Sequence, residues 1–262
     1  MHRLFLAVLF TLCASAASAS YQSTRLVYTV SWGNILLAKS HLDYQFGEND
    51  ARISANVDSD GFIAFFSSFQ SRANADLVLK DAGWTPKTLF MERVSGRKTL
   101  QSRVAWDDDS NVSTESRMPE LDLGEVYPLT AQMRVNVLDP YSAVLRLIRH
   151  IETTSECTES YEIYDGRRRN RLHFKTLGTT DLTETRPGEF VGDALICSLE
   201  FEPIGGHQID SKWRSDDKDD DDRIKMFFGR PLQGQIVPVR VEVDSWIGTI
   251  VGRLDIRKMT VQ

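Results

Sequence analysis

Few residues in this chain are spaced for chemistry. Beyond the first twenty residues its histidines are His41, His150, His173 and His207, far apart and in different local settings, with no cysteine or serine beside them in a nucleophile pattern. HExxH, GxSxG, P-loop and GxGxxG motifs are absent. The expectation is therefore no catalytic residue, no metal ligand set and no cofactor. A hydrolase whose site assembles only in the fold is the enzymatic alternative, ranked below a non-enzymatic binding role.

Cys157 and Cys197 are the two cysteines outside the leader, and in an oxidising compartment two cysteines most simply pair with each other. Closing a loop of about 40 residues is worth about 4 kcal/mol on the chain-entropy account. Zinc fits poorly, because neither has a second cysteine or a histidine cluster at ligand spacing.

Charge is concentrated in two places. From Arg167 to Lys175 strand alternation sets Arg167, Arg169, Arg171, His173 and Lys175 apart from Arg168, Asn170, Leu172 and Phe174. One face is then cationic, suited to a phosphate, a carboxylate or an acidic envelope protein. The alternative is a solvent-facing strand paired with acidic neighbours such as Glu159 and Glu162. Asp216, Asp217, Asp219, Asp220, Asp221 and Asp222 gather carboxylates that hard cations favour, without the ligand spacing or turn glycine of an EF-hand loop. Mutual repulsion makes 207–223 an acidic, mobile loop, with weak calcium binding as the alternative.

Phe62, Phe65, Phe66 and Phe69 fall at i, i+3, i+4 and i+7, so a short helix over 61–69 carries four rings on one face. Such a face is either ordinary core or the lining of a pocket for an acyl chain or apolar peptide. Under the second reading these four are the ligand-binding residues.

The elements that must position these groups are mostly strands. Arg25–Trp32 alternates, Gly33-Asn34 supplies a turn, and Ile35–Phe46 continues with Leu42, Tyr44 and Phe46 on one face. Arg52–Val57, Leu77–Leu79, Thr88–Val94 and Arg103–Trp106 are further short strands between turn signals. Asp165-Gly166 marks a hairpin between Tyr161–Tyr164 and Arg167–Thr176. A strand over Gly188–Glu202 brings in Cys197, and two more close the chain around Asp244-Ser245. Pro238 has no N–H to donate, so its strand lies at an edge or pairs there from one side only. One firm helix runs over Asp139–Ile151, with Asp139 as N-cap, Pro140 at the first position and a stripe of Tyr141, Val144, Leu145, Ile148 and Ile151. The expectation is a mainly β fold, a curved antiparallel sheet forming an open or half barrel with two short helices.

The beginning of the chain reads as an export signal. His2 and Arg3 precede an apolar run from Leu4 to Leu12, then small residues through Ala19, so cleavage near Ala19 would leave 20–262 as a single β-rich domain. The apolar run is too short to span about 30 Å of hydrocarbon, and no later segment reaches that length, so no transmembrane segment is expected. Bulky Leu12 before Cys13 argues against a lipid anchor there. The 31 basic residues, less Arg3, face 37 acidic ones. That balance excludes nucleic acid as the expected partner.

Taken in order along the chain, these motifs resemble the bacterial domain-of-unknown-function family 3108. Val27 to Ile35 (VYTVSWGNI) resembles its first strand and turn, and Asp60-Gly61-Phe62 its early glycine-led apolar segment. Asp139 to Ala143 (DPYSA) resembles its helix start, Tyr164 to Arg169 (YDGRRR) its hairpin, and Val239-Arg240-Val241 through Ile247-Gly248 its last strands. The resemblance implies an exported envelope protein and transfers no active-site residue. The layout is also similar to the half-barrel sheets of periplasmic lipoprotein carriers. The reading of the chain is a periplasmic, non-enzymatic envelope protein that binds a lipid or lipoprotein-like ligand or supports envelope integrity. An interaction scaffold docking an acidic partner through the arginine strand is the alternative.

Overall fold

The structure is a computed structural model and describes residues 22–60, 69–209, 223–232, 234–245 and 248–261. The leader, Phe62, Phe65, Phe66 and the aspartate run lie outside the described residues.

The first half of the chain is a seven-strand meander. It comprises β1 (Gln22–Trp32), β2 (Ile35–Phe46), β3 (Asp50–Ser59), β4 (Phe69–Lys80), β5 (Gly83–Ser95), β6 (Lys98–Trp106) and β7 (Val112–Met118). After a connection and α1 (Pro140–Thr154), a second meander follows: β8 (Glu159–Tyr164), β9 (Arg169–Leu182), β10 (Gly192–Gly205), β11 (Ile224–Leu232), β12 (Gln235–Ser245) and β13 (Gly248–Leu254). All neighbours pair antiparallel, in the order β7-β6-β5-β4-β3-β2-β1-β13-β12-β11-β10-β9-β8, and the short β14 (Thr260–Val261) pairs with β1. The halves therefore join through β1 and β13, where Tyr28 faces Leu254 and Trp32 faces Ile250. The sheet is not closed by backbone pairing, because β7 and β8 are its two ends.

Alternation explains the strands. On β4 Ala73, Ala75 and Leu77 are buried while Arg72, Asn74 and Asp76 are exposed, the period-two pattern of a sheet with one dry face. Leu26, Leu77, Leu89 and Leu254 are at most 2 % exposed, each worth about 1.5–3 kcal/mol of transfer free energy. Pro238 sits inside the sheet with a one-sided arrangement: it pairs with Phe228 of β11, while the β12–β13 ladder begins only at Arg240.

α1 is held inside this sheet. Asp139 is fully buried and caps it, accepting from the Tyr141 N–H at 2.8 Å and from the Ser142 N–H and hydroxyl. Ser155 ends it in the left-handed region at φ 61°. Tyr141, Leu145 and Ile148 pack into the cluster around Leu26, Tyr44, Ile53 and Leu77, whereas Ala143, Leu147 and Ile151 pack with Cys157, Ile163, Phe174 and Cys197. A helix buried on two faces is enclosed rather than laid on a surface. Arg146 ties it to β5 by donating from Nε to the Trp84 carbonyl at 2.6 Å and from Nη2 to the Thr85 hydroxyl at 3.1 Å.

Side chains bridge the two sheet ends. Tyr164 of β8, fully buried, donates its hydroxyl proton to Glu115 of β7 at 2.6 Å. Glu115 also pairs with Arg117 at 2.5 Å and Arg134 at 2.8 Å. Arg117 reaches the Tyr164 hydroxyl and the Gly166 carbonyl. Backbone spans the same gap: Leu138 donates to the Glu162 carbonyl and accepts from Tyr164, while Val137 donates to Ser110. A seam of ion pairs and one inserted strand-like segment stands where barrel hydrogen bonds would be.

Two helices were expected, and the described residues hold one α-helix and two short 3-10 turns, at Ala131–Arg134 and Ile256–Lys258. Phe69 opens β4, paired with Ser95, and so does not end a helix. The period-two run of β4 continues back to Phe69.

Candidate functional site

Between α1 and the concave face lies a cavity of about 410 Å³. Its walls are Ile53 and Val57 of β3, Ser40, Leu42 and Tyr44 of β2, Tyr28 and Val30 of β1, Ile250 and Gly252 of β13, Val241 and Val243 of β12, and Met226 of β11. Tyr141, Val144 and Leu145 of α1 form its roof. The volume falls within the roughly 300–1,000 Å³ typical of small-molecule sites. Pairing fixes its long axis: Tyr44 faces Ile53 and Ser40 faces Val57 across β2 and β3. Tyr44, Ile53 and Leu145 are buried, whereas Val30, Ser40, Val57, Val243 and Ile250 are half-buried. The lining is thus more deeply buried around Tyr44, Ile53 and Leu145 than around Val57 and Ile250.

The lining carries no Asp, Glu, Lys, Arg or His. Its polar groups are the Ser40 hydroxyl and three phenols. Tyr28 is already spent, donating to the Pro238 carbonyl at 2.8 Å, an acceptor that the one-sided pairing of β12 leaves free. Burial pushes the Tyr28 phenol well above its ordinary value. Burial also raises Tyr44 and Tyr141, with the neighbouring Tyr141 adding to the first and Asp139 to the second. All three stay neutral, so the cavity is uncharged. An apolar solute can fill it without desolvating an ion. A depression of about 490 Å³ at the β4–β7 end of the sheet is larger but bordered by Asp76, Arg103 and Glu115. The apolar, uncharged space beneath α1 is the better ligand site.

The residues singled out from the sequence distribute as follows. Cys157 and Cys197 form a disulfide with Cα atoms 6.1 Å apart, fastening the segment after α1 to β10. Phe69 is half-buried at the start of β4 and is not part of the cavity wall. Arg167 lies in the turn before β9, bonded to the Pro119 carbonyl, so it does not share a strand face with Arg169 and Arg171. Arg169 pairs with Glu162, and Arg171 with Glu162 at 2.7 Å and Glu202 at 2.8 Å. His173 reaches the same Glu202 at 3.1 Å. The cationic strand is thus neutralised by its neighbours on β8 and β10. Among the described residues no group of three or more His, Cys, Asp or Glu is placed to hold a metal ion, and no helix is long and apolar enough to cross a membrane.

Sequence reasoning missed the cavity while naming much of its wall. Leu42 and Tyr44 on one face of β2, Tyr28 and Val30 on β1, Val241 and Val243 on β12, and Tyr141, Val144 and Leu145 on the helix all carry the right periodicity. Nothing in that periodicity distinguishes a face that packs solidly from one that leaves a void.

Fold and cavity together define a barrel-like, open antiparallel β protein wrapped around α1. The chain belongs to the family described as "Protein of unknown function (DUF3108)", whose profile matches residues 27–255. Its fold is similar to a solved structure, the beta-barrel-like protein of domain of unknown function DUF1849 from Brucella abortus. The two share 9 % identity, the superposition covers 92 % of this chain and 98 % of that one, and the TM-score is 0.51. No functionally curated protein matches the sequence.

Proposed function

We propose that this protein is a non-enzymatic binding protein of the bacterial cell envelope that holds an apolar ligand between α1 and the concave face of its sheet. The observation that carries the reading is the uncharged cavity of about 410 Å³, walled almost wholly by hydrocarbon. The Cys157–Cys197 disulfide supports an oxidising compartment, and the leader sequence supports export to the periplasm. The ion pairing of Arg169 and Arg171 weighs against docking of an acidic partner, since that surface already has its counter-charges.

The test is native mass spectrometry of protein isolated from the periplasm, followed by lipid extraction of the same sample. The expected result is a co-purifying apolar molecule, or uptake of the neutral fluorophore N-phenyl-1-naphthylamine by the purified protein. Apo mass together with failure to take up the fluorophore refutes the reading.

A further inference from the structure

Tyr44 and Tyr141 remain unexplained by an apolar-carrier reading alone. Tyr44 is 6 % exposed and Tyr141 is half-buried, both rings line the cavity, and among the described residues neither hydroxyl has a hydrogen-bond partner. Their neighbour Tyr28 shows how this fold treats a phenol it does not need: the hydroxyl is turned onto a backbone carbonyl. Neither oxygen is among the sealed-off polar atoms that lack a partner, so each opens onto the cavity, where a ligand that laid only hydrocarbon against it would strip its water without replacing the hydrogen bond. Both phenols are raised above their ordinary range by burial, so each keeps its proton and is available as a donor.

The surroundings limit what these donors can meet. No cation lines the cavity, and Asp139, fully buried, lies close enough to Tyr141 to affect its ionisation. A carboxylate or phosphate brought to these phenols would be an unpaired anion in an apolar setting beside another carboxylate, a costly arrangement. A neutral oxygen acceptor avoids that cost. Along β2 the Tyr44 position lies four residues from Ser40, or about 13 Å at about 3.3 Å per residue, which sets the length available to a chain lying between them.

We propose, resting on the apolar-ligand reading above, that the ligand is a neutral molecule whose carbonyl or ester oxygen accepts hydrogen bonds from Tyr44 and Tyr141 while its hydrocarbon fills the cavity toward Val57 and Ile250. Tyr44 is held for this task by its ring, stacked on Phe46 at 5.9 Å and 5°, with Phe46 in turn against Trp84 at 5.6 Å.

Displacement of N-phenyl-1-naphthylamine by 2-undecanone and by decanoate at pH 7.5 tests the proposal. The chain lengths match, and only the ketone is neutral. The ketone is expected to bind at least about tenfold more tightly than decanoate, and Tyr44→Phe and Tyr141→Phe each weaken it by about fivefold, the loss of one hydrogen bond. Fluorophore affinity should not change, and Tyr28→Phe, whose hydroxyl is committed to Pro238, should leave ketone affinity within about twofold. Equal binding of ketone and decanoate, or Tyr44→Phe and Tyr141→Phe variants that bind the ketone like the wild type, overturns the role of the two tyrosines while leaving the cavity as a ligand site. Failure of the wild type to bind the fluorophore overturns both.

Discussion

Replacing Tyr164 by phenylalanine removes one oxygen from the seam between the two ends of the sheet. The ring is fully buried and keeps its volume, so no cavity arises. Lost are the bond to Glu115 at 2.6 Å and the bond from Arg117 at 3.1 Å. A hydrogen bond to a charged group contributes about 1.5–3 kcal/mol. Glu115 is not orphaned, since Arg117 and Arg134 still hold it, which places the expected loss near the lower end, about 2 kcal/mol. Urea unfolding should show a lower midpoint with an unchanged slope, and hydrogen exchange should quicken in β7 and β8 before it does so in β1 or β13. A double-mutant cycle with Glu115→Gln should return a coupling of about 1–2 kcal/mol. A loss below about 0.5 kcal/mol, with additive single mutants, refutes the view that this seam fastens the sheet ends.

Three further outcomes are expected. Cys157→Ser with Cys197→Ser opens a loop with a sequence separation of 40 and should cost about 4 kcal/mol in denaturant unfolding; the oxidised wild type, once reduced, should fall to the same stability. Val144→Trp projects a large ring from α1 into the cavity, so it should abolish uptake of N-phenyl-1-naphthylamine while the circular dichroism spectrum stays that of the wild type. Glu115 supplies a pH dependence: burial pushes its carboxyl up, but hydrogen bonds from Tyr164, Arg134 and Arg117 more than offset this and leave it below the usual carboxylate range. The stability it contributes is therefore fully present above the unfolded value of about 4.3 and lost as pH falls through the folded one. Unfolding midpoints measured from pH 6 to 3 should fall more steeply for the wild type than for Glu115→Gln.

Much of the sheet was legible because large apolar residues alternate in β1, β2, β12 and β13. β4 read as three residues rather than twelve, since its buried face is built from Ala73 and Ala75, which carry little β signal. β7 was invisible for a similar reason: VSTESRM at a sheet edge has almost no apolar pattern. β11, IKMFFGRPL, lacks alternation because Met226, Phe227 and Phe228 are all buried, two in one cluster and one in the other. The Cys157–Cys197 pairing followed from the count of cysteines and the oxidising compartment expected of an exported chain. The cavity did not follow from anything local. It is a space left between a helix and strands from both halves of the chain, and the two free phenols bordering it are recognisable only once every other hydroxyl partner is known.

The order of the strands also bears on how the chain can be rewired. Each half is a run of consecutive hairpins, and Thr24 of β1 faces Val261 of β14, so the first and last described strands lie side by side. Residues 122–125, between the halves, are exposed. A circular permutant with a short linker joining the old ends and new termini opened near Leu123 would be synthesised with α1 and the second meander first. Such a protein would have its helix in hand before the strands of the first meander are made, and could build the sheet around it in the reverse order of assembly.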